Sequence, residues 1–186
     1  MNKTQRITIA GFGGQGVMLI GQILAYAGAD ININSLWVPS YGPETRGGTA
    51  NCAVILSPNQ INSPIFSRAD ILMAFNKPSL QKFRDRIEDN GIILYNSSLI
   101  DEDVTSKAKV YALPINDVAA ELGNPRVANM VMLGAYLELT NYFTDEEIIR
   151  ALAKIFGEEK KDLIDINKKA ILAGRKLIST YEEHVS

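Results

Sequence analysis

The sequence is poor in the residues that hold metals and clusters. Its 186 residues include one cysteine, Cys52, and one histidine, His184. A single thiol closes no internal disulfide, and an iron–sulfur cluster normally takes four cysteine ligands. One Cys and one His also fall short of a structural zinc site. His184 lies in the C-terminal tail and is assigned no role. Charge of one sign is missing too: 19 Lys and Arg stand against 21 Asp and Glu, with no basic run. The electrostatic footprint of a nucleic-acid binder is therefore absent. No apolar run reaches the ~18 residues that a membrane span needs. The N-terminal segment runs into glycines rather than a small-residue cleavage site, so it does not read as a secretory leader. The expectation is a cytoplasmic globular chain that binds neither nucleic acid nor membrane.

What is present suits a buried core. Hydrophobic residues make up 46% and charged residues 22%, an ordinary globular composition. The length fits one domain, 1–186, with a helical C-terminal part over 144–181. Apolar runs at 6–10, 34–38, 52–57, 70–75, 91–95 and 109–113 read as strands. Pro39 is expected to end the second, and "PNQINSP" (58–64) to form a turn and short hairpin. Residues 16–27 read as a helix apolar nearly all round, which must bury more than one side. A short helix is expected over 78–87. Asn124 before Pro125 marks another helix start, running to Leu139. Thr144 and Glu147 form a capping box, with Gly157 as the stop. Apolar residues from Leu163 to Ile178 at 3.6 spacing give a last helix. Strands alternating with helices predict an α/β fold: three layers, α/β/α, around a mostly parallel, mixed sheet with C-terminal helices. Part of that sheet is expected to be antiparallel where 51–57 meets 34–38 or 60–65.

Two stretches carry chemistry. "RITIAGFGGQGVMLIGQILAYAG" places Gly11, Phe12, Gly13, Gly14, Gln15 and Gly16 between a strand and a helix. Gly11, Gly13 and Gly16 match G-x-G-x-x-G. Glycines let a backbone approach a ligand closely, and a helix N-terminus offers N–H groups to an anion. The dinucleotide version of the motif needs an acid at the end of the second strand, to bind ribose. Val38, Pro39 and Ser40 stand there instead, so a nicotinamide or flavin site is disfavoured. The loop reads either as a cradle for another anion or as a tight turn whose glycines serve packing alone. The other stretch, "SYGPETRGGTANCAVILS" (40–57), centres on Arg46. Arg suits planar recognition of carboxylate or phosphate, or it pairs with Glu44 in a solvated loop. Strand carboxyl ends are the ligand side of open α/β sheets, so the two loops are expected to face each other.

Asn129 lies within an apolar helix, where an unsatisfied amide costs about 1–3 kcal/mol. Its partner is either a ligand or a backbone group. Cys52 opens an apolar strand and reads as a small buried hydrophobe rather than a redox residue.

Together these stretches, followed by "NSP", "ADILMAFNKPSL" and "NPRVANMVMLGAYLELT", resemble the gamma subunit of 2-oxoacid:ferredoxin oxidoreductases over nearly the whole chain. Phe12 in the glycine loop and Arg46-Gly47-Gly48-Thr49 in the loop after it are more similar to the 2-oxoglutarate branch, or the related branched-chain branch, than to the pyruvate branch. The resemblance implies a complex that oxidatively decarboxylates a 2-oxoacid, here 2-oxoglutarate to succinyl-CoA, with ferredoxin as electron acceptor. It implies that this chain is not active alone. Thiamine diphosphate and iron–sulfur clusters would sit on alpha and beta partner subunits, and in some assemblies a delta subunit. That agrees with one cysteine and with no Gly-Asp-Gly anywhere in the sequence. The gamma unit is implied to help hold coenzyme A and complete the active site. The residues expected to serve are Gly11 to Gly16, Arg46 and Asn129. Other readings remain open at this point: a dinucleotide-dependent enzyme acting alone, or a nucleotide-binding regulatory protein.

Overall fold

The computed structural model describes residues 3–42, 49–157 and 159–185, with residues 182–185 described by their backbone alone. Six strands form one sheet: β1 (Gln5–Phe12), β2 (Asn34–Tyr41), β3 (Thr49–Ser57), β4 (Ala69–Ala74), β5 (Ile87–Asn96) and β6 (Lys109–Leu113), in the order β2-β3-β1-β4-β5-β6. β1, β4, β5 and β6 run parallel. β3 is antiparallel to both of its neighbours, β1 and β2. The sheet is mixed, as expected, and of the two segments expected to pair antiparallel with 51–57 the one that does so is 34–41.

The 58–64 hairpin does not form. Its backbone is claimed locally by side chains: Asn59 N donates to Ser57 Oγ at 3.1 Å, and Ser63 Oγ both accepts from Ile65 N and donates to Ile65 O. Such bonds compete with a ladder. β2 in turn runs straight through Pro39. It pairs only with β3, and an edge strand tolerates a residue without an N–H.

Helices cover the two faces unequally. One face carries α1 (Val17–Asp30), α3 (Ile115–Glu121), α4 (Ala128–Thr140), α5 (Asp145–Phe156) and α6 (Lys161–Val185). Ile7, Ile9, Val54, Met73 and Leu94 of the sheet meet these helices in the larger core. The other face carries α2 (Lys77–Phe83), whose Leu80 joins Leu72, Ala74, Ile93 and Tyr95. α1 buries a second side as its composition requires, and the second surface is α5 of the same chain.

Several boundaries match their sequence signals. Both halves of the Thr144–Glu147 capping box form, and Gly157 stops α5 with φ 92°. Asn124 caps by accepting from Arg126 N, but the first turn, Pro125–Val127, is a 3₁₀ turn leading into α4. The helix expected over 78–87 ends at Phe83, because Ile87 pairs with Ala69 as the start of β5. α3 has no counterpart among the elements expected from sequence. It is short and has no capping side chain, so neither period nor cap announces it.

α4 is buried on every side from Asn129 to Leu137. It reaches this depth because it crosses α6 backbone to backbone. A Cβ at Gly134 would land on the carbonyl oxygen of Ile171, and one at Gly174 on that of Val131. Arg175 clamps the same crossing, donating to Glu138 of α4 and Asp145 of α5. In an exposed helix, Gly→Ala raises stability by about 1 kcal/mol. Here Gly134→Ala and Gly174→Ala are each expected to lower it by about 1–3 kcal/mol through overpacking. Urea unfolding of the three proteins reads the sign directly.

Candidate functional site

The carboxyl ends of β1, β2, β4, β5 and β6 lie along one edge of the sheet, with the amino end of β3. The glycine loop leaves this edge after Phe12, which pairs with Thr49, the first residue of β3. Gly42 N donates to Thr49 O at 2.8 Å. Both candidate loops therefore spring from adjacent positions. Arg46 and its neighbours 43–48 lie outside the described residues.

The loop turns through two left-handed residues, Gly14 at φ 96° and Gly16 at φ 75°. Gln15 N closes the turn on Phe12 O at 3.2 Å. Gly13 and Gly14 are exposed, and a Cβ built on either meets nothing within 4 Å among the described residues. Gly16 stands at the N-cap of α1, and no side chain caps that helix. Among the described residues, no protein acceptor takes the N–H groups of Gly13, Gly14, Gly16, Val17 or Met18. A set of open backbone donors at the positive end of a helix dipole suits an anion.

Gln15 takes no part in that opening. Its Oε1 accepts from Phe12 N at 2.7 Å and from Asn76 Nδ2 at 2.9 Å, and its Nε2 donates to Phe75 O at 3.4 Å. Phe75 N in turn donates to Ala10 O at 2.9 Å. Gly11 leaves room for this arrangement, since a Cβ there would lie 2.6 Å from Gln15 Oε1. Asn76 is 4% exposed and also caps α2, its Oδ1 accepting from Ser79 N at 3.0 Å. Asn96 extends the amide line, donating to Phe75 O at 3.3 Å and to Asn116 Oδ1 at 3.0 Å.

Asn129 reaches the loop from the other side. It is 5% exposed, and its Nδ2 donates to Gly16 O at 3.4 Å while its Oδ1 accepts from Met130 N at 3.0 Å. Of the two partners left open by the sequence, the structure supplies the backbone one. Sequence reasoning missed Asn76 and Asn96. "NKPS" held a signal for the first, a capping residue ahead of a proline. Nothing in the spacing announced its bond to Gln15, 61 positions away.

Cys52 lies in β3, facing α1, and is fully buried. Its Sγ contacts Val17 O at 3.7 Å, and burial pushes the thiol up to about 12. The thiolate is the reactive form, so burial disfavours reaction of this cysteine in the folded chain. The strand order bears equally on the dinucleotide reading. β3 lies between β1 and β2, so the end of β2 sits two strand spacings from the glycine loop, roughly 10 Å. A ribose-binding acid placed there, as the motif requires, would stand too far away.

Residues 6–177 match the pyruvate ferredoxin/flavodoxin oxidoreductase family, and the chain belongs to it. Its relatives divide by length. The ketoisovalerate oxidoreductase subunit VorA of Methanothermobacter marburgensis is 39% identical over 169 residues, which are 91% of this chain and 35% of that protein. This chain thus spans about a third of the length of VorA. The 2-oxoglutarate synthase subunit KorC of Methanocaldococcus jannaschii is 35% identical over 179 residues, covering 90% of this chain and 96% of KorC. Among solved structures, the gamma subunit of keto/oxoacid ferredoxin oxidoreductase from Geobacter sulfurreducens superposes with a TM-score of 0.80 at 28% identity, over 95% of this chain and 99% of that one. The 2-oxoglutarate:ferredoxin oxidoreductase of Magnetococcus marinus, solved with 2-oxoglutarate, coenzyme A and succinyl-CoA bound, shares the fold. Its TM-score is 0.87 at 24% identity, over 97% of this chain and 32% of that chain.

Two outcomes are expected. Gly16→Ala forces a left-handed alanine, a penalty of about 1–2 kcal/mol, and drives its Cβ into the Asn129 amide. Adding Asn129→Ala relieves the second contribution and not the first, which a double-mutant cycle by urea unfolding separates. Cys52 should resist Ellman's reagent at pH 8 in the folded protein and react at once in denaturant. Brisk reaction without denaturant would contradict its burial.

Proposed function

We propose that this chain is the gamma subunit of a 2-oxoglutarate-type 2-oxoacid:ferredoxin oxidoreductase, and that its glycine loop holds phosphate groups of coenzyme A. The observation that carries the reading is the set of backbone donors at Gly13, Gly14, Gly16, Val17 and Met18 that no acceptor among the described residues takes, beside the open space at Gly13 and Gly14. Coenzyme A is anionic through its phosphates, which fits this cradle. No carboxylate stands among Gly11 to Gly16 to repel it. Arg46, on the adjoining loop, is the proposed cation for a phosphate or for a carboxylate of a neighbouring subunit. Asn129 acts from behind, through Gly16.

The division of labour follows from the residues the chain carries. With one cysteine it cannot ligate a four-cysteine cluster, so electron transfer to ferredoxin belongs to alpha, beta or delta partners, as does thiamine diphosphate. When bound there, thiamine diphosphate supplies the carbanion chemistry of decarboxylation. This chain's part is to bind and orient the acyl acceptor. The 2-oxoglutarate branch is favoured by Phe12 and by the KorC match, which runs nearly end to end in both proteins. The ketoisovalerate relative supports a branched-chain substrate as the second reading.

An anaerobic pull-down of the tagged chain from its native cell tests this. The expected eluate contains a thiamine-binding chain and brown iron–sulfur absorbance. It should turn over 2-oxoglutarate faster than pyruvate or 3-methyl-2-oxobutanoate. Preference for the branched acid would select the second reading, and a colourless chain eluting alone would contradict both.

A further inference from the structure

Gln15 sits in the middle of the glycine loop, where a ligand contact would be expected, yet each polar atom of its side chain is already taken by protein. Oε1 serves Phe12 N and Asn76 Nδ2, and Nε2 serves Phe75 O. The loop is thereby tied to the junction between β4 and α2 at two points, and Phe75 N adds a third by donating to Ala10 O. Asn76 is the hub. Its Oδ1 is committed to Ser79 N at the start of α2, which leaves only Nδ2 for the loop. Both carboxamides are therefore held in one orientation by bonds at each end.

We infer that Asn76 and Gln15 are positioning residues for the anion site: Asn76 holds the Gln15 amide, and the Gln15 amide fixes the backbone from Phe12 to Gly16 in its donating conformation. The inference rests on the reading of the loop as the coenzyme A site. Among the described residues nothing stands within 4 Å of a Cβ built on Gly13 or Gly14, and glycine is the residue with the most backbone freedom to lose. A loop of this composition needs an external tie to present its N–H groups without ordering them at each binding event. The clasp supplies that tie from behind, and no acceptor among the described residues takes the N–H groups of Gly13, Gly14, Gly16, Val17 and Met18.

The test uses the intact complex and reads the KM for coenzyme A beside the KM for the 2-oxoacid, kcat and the melting temperature. Asn76→Asp keeps the acceptor that caps α2 and loses the donor to Gln15. Asn76→Ser keeps a hydroxyl oxygen to cap α2 but is too short to reach Gln15, and it serves if the carboxylate disturbs assembly. Losing this tie should raise the KM for coenzyme A about fivefold with the 2-oxoacid KM unchanged, and the lost buried hydrogen bond should also lower the melting temperature by a few degrees. Gly13→Asp tests the underlying reading separately. The side chain fits the open space, and its charge should raise the same KM by tenfold or more, on the order of the 1.4 kcal/mol that a decade requires. If Gly13→Asp raises the KM and the Asn76 variants do not, the clasp is only structural and the inference fails. If Gly13→Asp has no effect, the loop does not hold coenzyme A, and the reading and the inference fall together.

Discussion

The geometry of this protein hangs on the contact between Gly16 and Asn129. A Cβ at Gly16 would lie 2.7 Å from the Asn129 side-chain carbon Cγ, so the start of α1 and the second residue of α4 share one volume. That closeness is possible because α4 is itself drawn in by α6, at the crossing of Gly134 and Gly174. Three missing side chains thus permit the close approach of α1 to α4 and of α4 to α6. The loop is braced behind by Asn129 and beside by Gln15 and Asn76. Its outward donors are the ones that no group among the described residues claims.

The second determinant is the placement of β3. Inserted antiparallel between β1 and β2, it turns a familiar strand–glycine–helix unit into a different site. The acid that would read a ribose loses its place. In exchange, the start of β3 places Thr49, and with it Gly42, beside the point where the glycine loop leaves β1, through the Phe12–Thr49 pairing. The same feature explains why β2, with Pro39, is an edge strand.

Much of this is legible in the sequence because it rests on local rules. The strands at 6–10 and 109–113, the capping box at Thr144 and the stop at Gly157 each follow from short-range chemistry. The absence of an acid at Val38–Ser40 weakens the dinucleotide reading before the strand order is known. The features that escape are long-range. The bond from Asn76 to Gln15 and the approach of Gly134 to Ile171 join residues whose spacing carries no period. α3 escapes because it has no capping side chain and spans two turns. The apolar second side of α1 is visible, but its partner, α5, is set by the fold and not by any pattern in α1. The position of Gln15 points to a ligand, whereas its contacts show a side chain turned inward.

The most direct measurement is a cryo-EM or crystal structure of the assembled complex with coenzyme A bound. A phosphate of coenzyme A is expected within hydrogen-bond distance, about 2.7–3.2 Å, of backbone nitrogens between Gly13 and Met18, with Gln15 still bonded to Asn76. Coenzyme A seated on another subunit, with no part of it at the glycine loop, would contradict that expectation.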